Sequence, residues 1–236
     1  MILVSRDSFN RALSACLSLD RILTLNEHCA ALKGYLSRSQ INLGNNCYKV
    51  TSDKMTITIR PAMKADALPI ARLHFHTWQE TYRGLAPQTA YDAVTEEVRL
   101  ARWQSMLSNV ESERIIVVAE AEGRLAGFGA AGPASHDIFQ GRAEIKFLYV
   151  GAAFARMGVG RNLLLHLARR MKEAGYNGVG LGVVVGNNPA IAFYERMGGE
   201  RAGSYTDPGP VWRSQDYLYV WDDLSALIAQ ERKSNP

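Results

Sequence analysis

The stretch Leu148-Tyr149-Val150-Gly151-Ala152-Ala153-Phe154-Ala155-Arg156-Met157-Gly158-Val159-Gly160 decides how this chain is read. It spells the end of a strand, a short loop and the mouth of a helix. Beyond it, Leu163, Leu164, Leu167, Ala168 and Met171 recur at helical spacing as an apolar stripe, which Gly175 stops. Two glycines at a helix mouth let a ligand approach the backbone closely. The unpaired first-turn N–H groups and the helix dipole then favour an anion there, typically a phosphate or pyrophosphate. A tight loop that needs positive φ uses the same residues, so Gly158-Val159-Gly160 alone leaves both readings open.

Working outward, Thr56 to Arg60 alternates as a first strand and ends at Pro61. Asp66 is placed to cap a helix running to about Tyr82, with Leu68, Ala71, Leu73, Phe75 and Trp78 as its apolar contacts. Arg83 to Pro87 breaks it, and a second helix is predicted over 95–108. Residues 115–119 and 125–129 read as a hairpin about Glu122-Gly123, and Ala143 to Val150 as a fourth strand. After the central helix come a buried strand (179–185), a short helix (189–197) and two closing strands (200–206 and 212–221). The order β-α-α-β-β-β-α-β-α-β-β predicts a mixed sheet with helices on its faces.

Composition narrows the function. Apolar residues make up 47% and charged residues 21%, which is globular rather than disordered. No window approaches 18 uninterrupted apolar residues, and the N-terminus lacks a secretory pattern, so no membrane partner is expected. The three cysteines, Cys16, Cys29 and Cys47, form no Cys-x-x-Cys pair and fit a reducing, cytoplasmic setting without a structural zinc. Of the net charge of +4, residues 1–54 hold seven basic against four acidic side chains, so the rest is near neutral. No broad basic face for nucleic acid is implied. His74 and His76 lie two apart on a helix and diverge, and the other histidines have no partner at ligand spacing, so no metal is expected. Rival phosphate motifs fail: there is no Walker sequence, and Gly127, Gly129 and Gly132 sit on a hairpin strand with no helix following.

A second block, Gly186-Asn187-Asn188-Pro189-Ala190-Ile191-Ala192-Phe193-Tyr194-Glu195-Arg196-Met197-Gly198-Gly199, reads as a strand end, a capped helix with proline in its first turn, and a glycine stop. Taken with the strand Glu144 to Val150 and the Gly-Val-Gly loop, it resembles the GNAT superfamily of acyl-CoA-dependent N-acetyltransferases. Ile59-Arg60-Pro61-Ala62 with Asp66-Ala67, and Trp78 to Gly84, look like one bacterial branch of it. The resemblance runs from residue 57 to about 222. It implies an α/β (α+β) fold: a mixed, mostly antiparallel sheet of six or seven strands with splayed central strands and flanking helices. Residues 55–236 become the acetyltransferase domain and residues 1–54 an N-terminal extension, helical or disordered, with an amphipathic pattern from Phe9 to Leu23.

The resemblance also assigns roles. The pyrophosphate of coenzyme A would sit on the amides around Met157, Gly158, Val159, Gly160 and Arg161. The family usually has Gln or Arg three residues before the first glycine; Ala155 stands there, and Arg156 is the adjacent cation. The pantetheine arm would pair with the fourth strand at Leu148, Tyr149 and Val150 where the fourth and fifth strands part, with Asn187 binding the arm. The reaction implied is direct attack of a primary amine on the thioester of acetyl-CoA. An amine of pKa ~10 is only about one part in a thousand neutral at pH 7, a handicap of roughly 4 kcal/mol, so a base is valuable. Glu144 is the candidate base, acting through water, or else a strand-edge surface charge. Tyr194 would face the sulfur and offer its O–H to the leaving thiolate, or else simply pack.

On the acceptor side the resemblance nominates Trp78, Tyr82, Arg83 and Tyr205 to Trp212, with Asp207 able to hold a cation. Trp78 and Tyr82 read equally as core residues of an amphipathic helix. A small-molecule or peptide amine is the expected partner of a monomer or homodimer. The alternatives are a non-catalytic acyl-CoA-binding module that acts as sensor or scaffold, and a nucleic-acid-associated protein using the basic extension.

Overall fold

The computed structural model describes residues 56–109 and 113–230. The amphipathic pattern of Phe9 to Leu23 and the three cysteines lie outside the described residues. One seven-stranded sheet organises the rest: β1 (Ile57–Pro61), β2 (Ile115–Ala121), β3 (Arg124–Gly132), β4 (Ala143–Val150), β5 (Val179–Val184), β6 (Glu200–Asp207) and β7 (Ser214–Trp221). Their order across the sheet is β1-β2-β3-β4-β5-β7-β6. Every neighbouring pair is antiparallel except β4 with β5. The helices are α1 (Ala67–Thr81), α2 (Gln88–Ala93), α3 (Glu96–Ser108), α4 (Val159–Glu173), α5 (Asn188–Arg196) and α6 (Leu224–Ala229). The predicted sheet and the principal helices are present; α2 and α6 are additions to the predicted order.

Two details of α1 differ from expectation. Leu68 is 39% exposed, and the buried stripe is Ala67, Ile70, Ala71, His74 and Trp78, one helical face built around a histidine. Asp66 occupies the N-cap position of α1 but its side chain makes no capping hydrogen bond to that helix. Its carboxylate accepts from the Met63 amide at 2.6 Å and from Arg60 at 2.7 and 2.9 Å, closing the preceding turn onto β1. The Arg60 guanidinium accordingly holds the Asp66 carboxyl below its ordinary range.

One face of the first half-sheet carries α1 and α3 over Val118, Phe128, Ala130 and Phe147, with Trp103 fully buried among them. α4 covers the other face. It lies so close to β3 that a Cβ on Gly127 would stand 3.1 Å from Leu163 and 3.2 Å from Val159. His74 is sealed inside the first layer, its Nδ1 accepting from Trp103 Nε1 at 3.1 Å. Burial, then the Arg99 and Arg102 charges, push its pKa well below 6.5. The unfolded chain therefore takes up a proton below pH 6.5 that the folded protein refuses. Stability should fall by about 1.4 kcal/mol for each pH unit below that point, and hold above it. Urea titrations at pH 7.5, 6 and 5 on the protein and on His74→Gln measure this, and equal pH slopes for the two would contradict it.

Candidate functional site

β4 and β5 pair only at Ala143↔Val179 and Glu144↔Gly180. From Ile145 to Val150, β4 stays paired with β3, while β5 stays paired with β7 to its end. The expected parting of the fourth and fifth strands is therefore present, opening toward the C-terminal end of β4. A bulge adds to it. Ala130 opposes Phe147 and Ala131 opposes Ile145, so Lys146 is the extra residue, and its ammonium reaches the Glu144 carboxylate at 2.9 Å.

The loop after β4 leads directly to the helix mouth. Gly158 is the N-cap of α4 at φ +86°, a left-handed conformation that costs other residues about 1–2 kcal/mol. Arg156 accepts that cost, at φ +63°, on the exposed rim of the loop. The first-turn amides of α4 have no acceptor within the helix and point out of its end. A Cβ on Gly160 would meet Phe193 and Val150 only at 3.5 Å, so packing inside the protein does not demand glycine there. Ala155 is exposed. The Arg161 side chain is committed elsewhere, donating to the Gln230 carbonyl at 2.6 Å, which leaves its amide as the group at the mouth.

At the adjacent end of β5, Asn187 caps α5, its Oδ1 accepting from the Ala190 amide at 3.4 Å. Tyr194, 8% exposed, packs on Phe193 at 5.1 Å and edge-on to Trp221 at 6.0 Å. Burial, then the neighbouring Tyr149 phenol, raise its pKa, so it remains a protonated hydrogen-bond donor throughout the neutral range. Leu148 and Val150 share the face of β4 turned to α4. Tyr149 points the other way: it stacks on Phe128 at 5.4 Å and shares a hydrogen bond with the Tyr82 phenol. Burial, the Tyr149 phenol, Asp216 and Tyr194 together push Tyr82 well above 10. Three phenols, from α1, β4 and α5, thus converge beside the parted strands.

Glu144 is 6% exposed rather than a surface charge. One oxygen accepts from the Ser135 amide at 2.8 Å and the other meets Lys146. Of the residues nominated for the acceptor, Trp78, Tyr82 and Trp212 join Tyr91 in one aromatic wall: Trp78 stands 5.4 Å from Tyr82, 5.2 Å from Tyr91 and 5.5 Å from Trp212. Trp78 and Tyr82 thus join a packed cluster, with Trp78 buried in it. Arg83 is exposed, and Asp207 folds back to accept from the Gly209 amide at 2.8 Å. Sequence reasoning overlooked Arg99 and Asp216, which are 5% and 4% exposed. Among the described residues, Arg99 Nε, Asp216 Oδ1 and Tyr91 Oη are buried without a hydrogen-bond partner, a state that costs about 1–3 kcal/mol each and more for a charged group. Asp216 was detectable, because it falls in phase with buried Leu218 and Val220 along β7.

Comparison with known proteins follows the same line. The acetyltransferase (GNAT) family model matches residues 74–199, more than half of the chain. The N-acetyltransferase YuaI of Bacillus subtilis is 26% identical over 171 residues, covering 72% of this chain and 96% of YuaI. Phosphinothricin N-acetyltransferase of Streptomyces viridochromogenes is 26% identical over 188 residues, covering 79% of this chain and 98% of that enzyme. Among solved structures, the PaiA N-acetyltransferase of Thermoplasma acidophilum, in complex with coenzyme A, superposes with a TM-score of 0.53 at 21% identity, over 71% of this chain and 99% of PaiA. A matching fold, a parted sheet that ends at a glycine-opened helix, and a family model spanning both make this chain a member of the GNAT family and an acetyltransferase.

Proposed function

We propose that this enzyme transfers an acetyl group from acetyl-CoA to a primary amine by direct attack. The observation that carries the reading is the parting of β4 from β5 beside a helix mouth with outward amides. The PaiA structure with coenzyme A and the phosphinothricin N-acetyltransferase relative favour the same donor and a small amine acceptor. The amides of Met157 to Arg161 hold the pyrophosphate, with Arg156 as the nearby cation. The pantetheine arm lies along Leu148, Tyr149 and Val150, and the amide nitrogen of Asn187 binds it. The protein's activity resides in residues 55–236, with residues 1–54 an extension dispensable for it, acting in the cytoplasm as a monomer or homodimer.

Each residue has a definable task. Glu144, whose oxygens keep lone pairs beyond those used by Ser135 and Lys146, receives the amine's proton through water. The nitrogen lone pair then forms the amide bond as the carbon–sulfur bond breaks, and the second proton that the nitrogen sheds goes to the departing thiolate. The Tyr194 O–H donates to the sulfur that leaves with the electron pair, while main-chain N–H groups of β4 polarise the carbonyl. The aromatic wall of Trp78, Tyr82 and Trp212 receives the acceptor, Arg83 stands at its rim and Asp207 at the β6–β7 loop.

Tyr194→Phe tests the reading. Thiol release across a panel of amines should drop about a hundredfold while coenzyme A affinity by calorimetry stays within about threefold. Unimpaired turnover would remove Tyr194 from the chemistry. A protein that binds coenzyme A and releases no thiol with any amine would be a binding module rather than the proposed enzyme.

A further inference from the structure

Arg99 and Asp216 carry opposite charges, are both more than nine-tenths buried, and each keeps an atom without a partner among the described residues. Both also act on the same two phenols. The Arg99 guanidinium lies 5.8 Å from the Trp78 ring and acts on the Tyr82 and Tyr149 phenols from the α3 side. Asp216 acts on the same two phenols from β7. Tyr91, whose hydroxyl is the third orphan, packs edge-on against Trp78 at 5.2 Å. The nearest cation to Arg99 is Arg102, set over Phe147 at 5.5 Å, which repels it rather than satisfying it.

The Tyr205 hydroxyl stands beside Asp216 against β5. Gly182 is exposed on the parted side of β5, and a Cβ there would collide with the Tyr205 hydroxyl and stand 2.8 Å from Asp216 Oδ2. Glycine at 182 is what lets the Tyr205 hydroxyl and the Asp216 carboxylate lie against β5 there. A buried guanidinium whose Nε has no partner among the described residues asks for an anion, and the Asp216 carboxylate, held in part by Ser214 and the Lys146 charge, keeps Oδ1 free for a cation. With the aromatic wall between helix and sheet supplying an apolar middle, one molecule satisfies both.

We propose that the acceptor is a small zwitterion, an amine that also bears a carboxylate, with its ammonium drawn to Asp216 at the mouth of the gap and its carboxylate held by Arg99 under α3. Asp216 and Arg99 are then specificity residues: Asp216 delivers the nitrogen to the parted strands, and Arg99 rejects amines without an acid group. The inference rests on the acetyl-transfer reading for its chemistry and on the buried pair alone for its binding, so the two are tested separately.

The probes are the twenty common L-amino acids, each beside its methyl ester, which keeps the amine and removes the negative charge. With saturating acetyl-CoA and the full chain, at least one free amino acid should exceed its ester about a hundredfold in kcat/KM by thiol release. In Arg99→Met the preference should collapse to within about threefold, and Arg99→Lys should restore part of it. The thermal midpoint of Arg99→Met should stay level or rise, because an uncompensated buried charge has been removed, whereas a merely structural arginine would leave it lower. Equal turnover of acid and ester, or a preference untouched by Arg99→Met, overturns the proposal. Should no amine be acetylated, the amino acids are titrated into the coenzyme A-saturated protein by calorimetry. Binding that disappears in Arg99→Met keeps the zwitterion site and ends the transfer reading; no Arg99-dependent binding overturns the site.

Discussion

Gly158→Glu should abolish coenzyme A binding while leaving the protein folded. A Cβ at this position meets no atom within 4 Å, so the new side chain has room, and the folding cost is the left-handed backbone at φ +86°, about 1–2 kcal/mol. The carboxylate instead acts on the ligand. At about 5 Å and an effective dielectric of ~20, each phosphate charge is repelled by roughly 3 kcal/mol. Against the two charges of a pyrophosphate, that exceeds a thousandfold in affinity. It also cancels the favourable dipole of the α4 N-terminus. Gly158→Ala separates the two effects: it carries the backbone strain without the charge, and should lose stability yet keep affinity within about tenfold. Calorimetry on both variants decides the matter, and unchanged affinity in Gly158→Glu would mean that the anion sits elsewhere.

Trp103→Ala should be the most damaging single change to stability. Trp103 is fully buried, lies 5.0 Å from Phe128 and 5.3 Å from Phe147, and donates the hydrogen bond that satisfies His74. Truncating a buried tryptophan costs about 3–5 kcal/mol through lost contacts and the cavity left behind. Orphaning the His74 Nδ1 adds a further 1–3 kcal/mol. Set against a typical total of 5–15 kcal/mol, the variant stands close to unfolding. Activity should fall even in the molecules that remain folded, because Tyr149 rests on Phe128 and His74, and the phenol cluster rests on Tyr149. Urea denaturation measures the first effect, and a loss below 1 kcal/mol would show that α3 is not anchored through this ring.

The sheet was legible because its punctuation is local. Pro61, Glu122-Gly123, Gly158, Gly175 and Asn187 each mark a boundary by their own conformational preference, and the structure ends or begins elements within a residue or two of each. The two short helices were not. α2 spans six residues with one buried side chain, Ala90, too little for any periodicity to register. α6 is equally short, although Asp223 accepting from the Ser225 and Ala226 amides is an N-cap that the sequence displays. The phase of α1 was misread at Leu68 because His74 interrupts the apolar count while occupying the middle of the buried face. Of the candidate site, the helix mouth was nominated by its glycines and Tyr194 through the family resemblance. Arg99 was hidden, since an arginine between Val98 and Leu100 on a helix rich in charge reads as solvated. Only α3 lying against α1 reveals that its guanidinium is enclosed.

The divergence of β4 from β5 has a bearing on aggregation. An unpaired strand margin normally invites another chain to add on, and proteins protect such margins with charges, bulges or covering loops. Here two margins face each other inside the sheet, and the Ala143–Glu144 pairing closes one end of the space between them. A wedge closed at one end offers its main-chain groups to a slender chain threaded into it, and presents no outer margin along which a second sheet could add. The fold thereby keeps exposed main-chain hydrogen-bonding capacity for a thin ligand while withholding it from copies of itself.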